Sequence, residues 1–210
     1  MIDEIDAALR SIVVDDALGG AAVDVSFDAP TKDWASKRSG PTICAYLYDI
    51  REDVRRRETG FVNEYHEGRT TARHSPPRYF RLSYLVAAWT QRPEDEHGLL
   101  ALLLRSLVNH PVIPAERLGP SLRDVALPVT MTVALPPSDD RSFADVWSAL
   151  GGELKPSIDV VVCAPLPIAR TQPVGPPVRT PVLHSVELGS DRDAEVRRRA
   201  RIVEHPTEPA

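Results

Sequence analysis

Residues Thr42 to Ile50 (TICAYLYDI) place apolar side chains on both faces of any strand they form. A strand that is apolar on both sides must have neighbours in its own plane and cover above and below it. It therefore belongs inside a sheet rather than at an edge. The polar, nearly glycine-free stretch Asp28–Gly40 feeds directly into this run and carries Trp34 in its middle. A large aromatic in such a loop has two roles open to it: packing inside its own domain, or contact with a partner.

The rest of the chain supplies the company this strand requires. Ile2, Ile5, Leu9, Ile12 and Val13 recur at helical spacing, with Asp3, Glu4 and Asp6 near the N-terminal end, and Gly19-Gly20 closes that helix. Val23, Val25 and Phe27 predict a short strand, and Tyr79–Thr90 the longest one, with Phe80, Leu82, Tyr84, Val86 and Ala88 on one face. Pro93 opens a helix whose first turn carries Glu94, Asp95 and Glu96, and whose expected buried stripe is Leu99, Leu100, Leu103, Leu104 and Leu107. The alternation Val125, Leu127, Val129, Met131, Val133, Leu135 predicts a half-buried strand, with Pro128 pointing to an edge or a bulge. A short helix through Phe143, Val146, Trp147 and Leu150 stops at Gly151-Gly152, and Ile158–Ala164 is another strand apolar on both faces.

The charged segment 51–77 predicts a hairpin extension or a mobile loop. Pro165–Pro181 predicts a linker or draped arm, Val182–Leu188 a last strand-like segment, and Asp191 onward a charged, frayed tail. The expected division is a domain over 1–165, a proline-rich arm over 166–188 and a tail over 189–210. Several strands follow one another directly, which fits an α+β fold: a mixed, mainly antiparallel sheet flanked by helices.

Bulk properties narrow the function. Twenty prolines in 210 residues, about twice the ordinary share, predict stiff connections between short elements. A net charge of −5 argues against a chain whose main task is to grip nucleic acid. Cys44 and Cys163 lie in apolar strand-like runs and read as buried thiols of a reducing compartment, with a disulfide as the other option. No secretion signal follows Met1, and the leucine-rich run Leu99–Val108 is too short to span a bilayer, so a soluble, cytoplasmic protein is expected.

Covalent chemistry finds little support. His66 and His74 lie near Glu64 and Glu67 without a recognised metal spacing, and Gly151-Gly152-Glu153-Leu154-Lys155 lacks the ending of a phosphate loop. Arg51 with Arg55-Arg56-Arg57 reads as a solvated turn among acidic neighbours, or as a nucleic-acid contact of steep salt dependence. The cluster from Glu94 to His97 is the one arrangement fit for acid–base work, as in a small hydrolase. A helix N-terminus accounts for all of it except His97. No catalytic residue, metal or cofactor is expected.

The order of several motifs is more informative than any one of them. Phe27-Asp28-Ala29-Pro30-Thr31-Lys32-Asp33-Trp34 is followed by Arg38-Ser39-Gly40-Pro41-Thr42 and Tyr46-Leu47-Tyr48-Asp49-Ile50-Arg51-Glu52. Then come Pro77-Arg78-Tyr79, Leu82-Ser83-Tyr84-Leu85-Val86, Ala88-Trp89-Thr90, Arg92-Pro93-Glu94-Asp95-Glu96-His97, Trp147-Ser148-Ala149-Leu150-Gly151-Gly152 and Leu154-Lys155-Pro156-Ser157. Over about residues 1–165 this series resembles the cap, or tube-terminator, proteins of phage-tail-like contractile injection systems, themselves similar to contractile-phage tail terminators. The resemblance implies a tail-terminator-like fold and a structural subunit that assembles with itself as a six-fold ring. It also implies partners in the inner tube and sheath, growth of both being stopped and the distal sheath layer anchored, with no nucleic acid and no membrane insertion. The residues proposed to meet a partner are Lys32, Trp34, Lys37 and Arg38 of the Asp28–Gly40 segment.

Overall fold

A computed structural model describes residues 1–66, 69–136, 142–167 and 171–174. Val182–Leu188 and the segment from Asp191 onward lie outside the described residues, as does most of Pro165–Pro181.

The chain divides into two units, the first covering 1–60 and 75–167. It opens with α1 (Ile2–Ser11), which runs on through a π-helical stretch, Ile12–Ala17, and stops at Gly19 and Gly20, both at positive φ. The sheet contains β1 (Asp24–Ser26), β2 (Thr42–Glu52), β5 (Arg78–Trp89), β6 (Thr130–Val133) and β7 (Ser157–Leu166). Their spatial order is β1-β2-β5-β7-β6; β1 runs parallel to β2, and every other pair is antiparallel. The α+β expectation holds, and the strand from Thr42 sits inside the sheet as its two apolar faces require.

Each face has its own core. On one, Ile43, Leu82, Tyr84 and Val160 pack with Ile5 and Ile12 of the N-terminal helix and with Leu103 and Leu107 of α3 (Pro93–Val108). On the other, Leu85 and Ala87 are covered by Trp147 of α5 (Phe143–Ala149), with Tyr48, Trp89 and Phe143 around it. The second unit contains the hairpin β3 (Val62–His66) and β4 (Arg69–His74), extended by β8 (Thr171–Pro173) into an antiparallel sheet. The hairpin option for 51–77 is therefore the one observed.

Three sequence expectations need correction. The run from Val125 to Leu135 is not one strand: Val125 ends α4 (Pro120–Val125), Ala126 turns the chain at φ 53°, and β6 begins at Thr130. Pro120 presets a first helical turn and Leu122 is buried beneath it, whereas Pro128 cannot donate to a ladder. The stripe of α3 holds except at one position: Leu103 and Leu107 are buried beside Ser106, Leu99 and Leu100 pack partly buried against the same core, and Leu104 is exposed. Finally, Asp28–Gly40 is not loop throughout; it holds the helix α2 (Lys32–Ser36).

Two carboxylates tie α1 to the rest. Glu4 accepts hydrogen bonds from the Ser121 hydroxyl and from the amides of Ser121 and Leu122, capping α4 from outside. Asp6 accepts the hydroxyl of fully buried Tyr84 at 2.7 Å. Burial raises the Asp6 pKa above 3.8, opposed by the Tyr84 hydrogen bond. The folded chain then holds this proton more tightly than the unfolded one. The favourable contribution is complete below 3.8 and disappears as pH rises through the raised value. Asp6→Asn keeps an acceptor for Tyr84, so it is expected to be neutral or stabilising near neutral pH and to flatten the fall of stability above 3.8. Thermal unfolding of both proteins across the acidic range checks this; a variant that is less stable at neutral pH contradicts it.

Candidate functional site

Most of the motifs quoted above converge on one end of the sheet. Thr31 caps α2, its hydroxyl accepting the Trp34 amide at 3.2 Å. The helix turns the Trp34 indole inward, where it is 9% exposed. Its ring meets Trp89, the last residue of β5, edge-on with centroids 5.0 Å apart, and Trp89 meets Trp147 at 6.0 Å. All three tryptophans of the chain thus form one ladder. Gly152 lies against it, since a Cβ there would stand 3.2 Å from Trp147.

Polar groups fix the ladder at both ends. The Trp34 Nε1–H donates to Asp28 Oδ2 at 3.2 Å, and the same oxygen accepts from the Ser26 hydroxyl at 2.8 Å. These hydrogen bonds, Ser26 first, hold the Asp28 carboxyl below its usual range, helped by Arg38. Arg38 lies 4.5 Å from the Trp34 ring centroid and reaches Asp24 at 3.2 Å and Asp28 at 3.4 Å. At the other end Lys155 stands 5.2 Å from the Trp89 ring centroid and 2.6 Å from Glu96 Oε1, which also accepts the Thr90 amide.

Beside Trp89 opens a groove of about 670 Å3, between the chain at 35–41, the end of β5 and the first half of α3. Val23, Pro41, Trp89, Leu99 and Leu102 make its apolar lining, and Gly98 contributes bare helix backbone. The charged residues lining it are Arg38, Glu94 and Asp95.

Of the two roles open to Trp34, packing within the chain is the one seen. Lys32 and Lys37 are exposed at the two ends of α2, and Arg38 is half-buried between Trp34 and the groove. The Glu94–His97 cluster is spread out: Glu96 is committed to Lys155 and Thr90, and no hydrogen bond joins His97 to a carboxylate among the described residues. His74 pairs with Glu64 at 2.7 Å, and no group of three potential metal ligands occurs among the described residues. The Arg55–Arg57 run is engaged locally: Arg57 pairs with Glu52, and Arg56 stacks on Tyr79 at 3.6 Å. Cys44 and Cys163 are unpaired thiols, and burial pushes the Cys44 pKa up to about 12. Sequence reasoning missed the groove. Its one signal was Gly98, a glycine in the interior of a leucine-rich helix.

Among the described residues no helix is long and apolar enough to cross a membrane. The fold is similar to two solved structures. One is the sheath/tube terminator of PVC, an extracellular contractile injection system, in its extended state, at 21% identity and a TM-score of 0.65 over 90% of this chain. The other is the tube-terminating cap of the anti-feeding prophage, at 19% identity and a TM-score of 0.64 over 89% of this chain. The chain spans 64% and 61% of the lengths of those two proteins, less than two thirds of each. No curated protein matches it in sequence. The family profile described as the Pvc16 N-terminal domain matches residues 4–180, most of the chain and the whole tryptophan ladder with it, and the chain belongs to that family.

Proposed function

We propose that this chain is a structural cap subunit of a contractile injection system, ending its inner tube and sheath without catalytic turnover. The observation that carries this reading is the family match over residues 4–180. The likeness in fold to two terminators is in keeping with it. Six copies would close a ring on the end of the tube and anchor the last sheath layer. A cyclic ring needs a head-to-tail interface between unlike surfaces of neighbouring copies. We assign 1–165 to the body that docks on the particle, 166–188 to an arm and 189–210 to a tail, with assembly in the cytoplasm before any release. Lys32 and Lys37 are the exposed members of the partner-facing set; Trp34 and Arg38 serve it by holding α2 in place. Hydrolysis through Glu94–His97 gains nothing from the geometry, since Glu96 already serves Lys155.

Deleting the gene from a producing strain tests the reading directly. Electron micrographs are expected to show tubes of irregular length, or sheaths that detach early. Sheathed particles of normal length and number in the deletion strain overturn it.

A further inference from the structure

We propose that the groove beside Trp89 is a docking site for an extended segment of another particle subunit, one that presents an apolar side chain next to a lysine or arginine. The identity of the partner rests on the cap reading; the groove and its chemistry do not.

Three observations carry the proposal. The first is shape and lining: about 670 Å3 of open space falls within the volume range of compact-ligand sites, and Val23, Pro41, Trp89, Leu99 and Leu102 put apolar surface on its walls between polar and charged residues. Leu102, at 37% exposure, lines it and leaves apolar surface in water that a partner would cover.

The second is Gly98. It stands inside α3, where glycine weakens a helix relative to alanine, and a Cβ added there would meet no atom within 4 Å. Packing within the chain therefore does not require glycine at this position. Bare backbone in the wall of an apolar groove suits the close approach of a second backbone.

The third is charge. Arg38 is paired with Asp24 and Asp28, which leaves Glu94 and Asp95, in the first turn of α3, as the net charge of the lining. Both are exposed, and among the described residues the ion pair of Glu94 is with the solvent-exposed Arg92, at 3.8 Å. Two acids beside apolar surface in one groove select a segment with a cation next to its apolar anchor and repel an acidic one.

The test uses overlapping 12-residue peptides tiled across the tube and sheath proteins of the producing particle and across this chain, probed with the purified full-length protein. Bound peptides from tube or sheath are expected to combine an apolar residue with an adjacent Lys or Arg. Gly98→Leu puts a side chain into the groove from a position where an added Cβ meets no atom within 4 Å, and should weaken those peptides at least about tenfold, or 1.4 kcal/mol. Its melting temperature should stay the same or rise, so lost binding cannot be blamed on misfolding. Glu94→Lys with Asp95→Lys should weaken the same peptides and admit acidic ones. The proposal is overturned if no peptide binds, if the bound peptides are acidic or bind Gly98→Leu equally well, or if only peptides of this chain respond, which would assign the groove to a second copy. These outcomes are separate from the deletion experiment: altered particles alongside an indifferent groove defeat this proposal alone.

Discussion

Replacing Trp34 by alanine is expected to lower stability by about 3–5 kcal/mol, the usual cost of truncating a buried tryptophan. The indole is 9% exposed, its ring contacts Trp89 edge-on, its N–H is bound by Asp28, and Arg38 stacks on it. Removing it also leaves the Asp28 carboxylate one donor short and Arg38 without its platform. A domain of ordinary stability, about 5–15 kcal/mol, survives such a loss at low temperature but not with much margin. Trp34→Phe keeps a ring against Trp89 but loses the Asp28 hydrogen bond and part of the indole's volume, so it should cost about 2 kcal/mol, less than alanine. Urea unfolding of the three proteins, compared at equal slope, decides the matter. A loss below about 1 kcal/mol for the alanine variant would mean that the ladder does not hold α2. The double variant Lys32→Ala/Lys37→Ala, altering two exposed side chains, should leave stability within about 0.5 kcal/mol of the parent. Any effect it has on particle association is then a surface effect.

Gly119→Ala is the second large effect, expected at about 2 kcal/mol through a residue that the alanine does not replace. A Cβ at 119 would fall on the Glu4 side chain, well inside contact distance of its Cγ and Cδ, which pass through the space the glycine leaves open. The carboxylate would have to swing away, giving up the Ser121 hydroxyl and the Ser121 and Leu122 amides together. If that is the mechanism, the two positions cannot be additive. In a Glu4→Ala background the same glycine substitution should cost no more than about 0.5 kcal/mol, because the obstruction is gone. A double-mutant cycle measures the difference, and full additivity would show that the strain lies elsewhere. The pH dependence offers a second check. Burial raises the Glu4 pKa, but the hydrogen bonds from Ser121 and Leu122 outweigh it and bring the value below 4.5. The stabilisation from Glu4 is therefore present above 4.5 and lost as pH falls through the lowered value. Gly119→Ala should blunt that acid-side loss.

The two effects also show how far the residues could be read without coordinates. Thr42–Ile50 declared its interior place because two apolar faces admit no other, and Pro93 and Gly151-Gly152 marked helix ends by local backbone rules alone. The Val125–Leu135 alternation misled because a few residues of apolar–polar alternation fit a turn of helix as well as a strand. Tertiary burial of Leu122 settled it. In the stripe of α3 only Leu104 was misplaced, for a related reason: in a helix this rich in leucine, composition does not say where the buried stripe ends, and packing on the N-terminal helix selects Leu103 and Leu107.

What the sequence determined by itself was the class of the fold and the order of its main strands and longer helices, because periodicity and backbone restrictions act over a few residues. What only the tertiary structure decided was the meaning of the marker residues. Trp34, Trp89, Trp147, Glu96 and Lys155 are scattered along the chain, and nothing local says that they touch. Pairing β5 with β2 on one side and β7 on the other, with α5 laid on that face, closes them into one ladder. With Trp34 drawn inside that ladder, the open surface passes to the groove beside it, where Gly98 and the acids of α3 wait on the other wall.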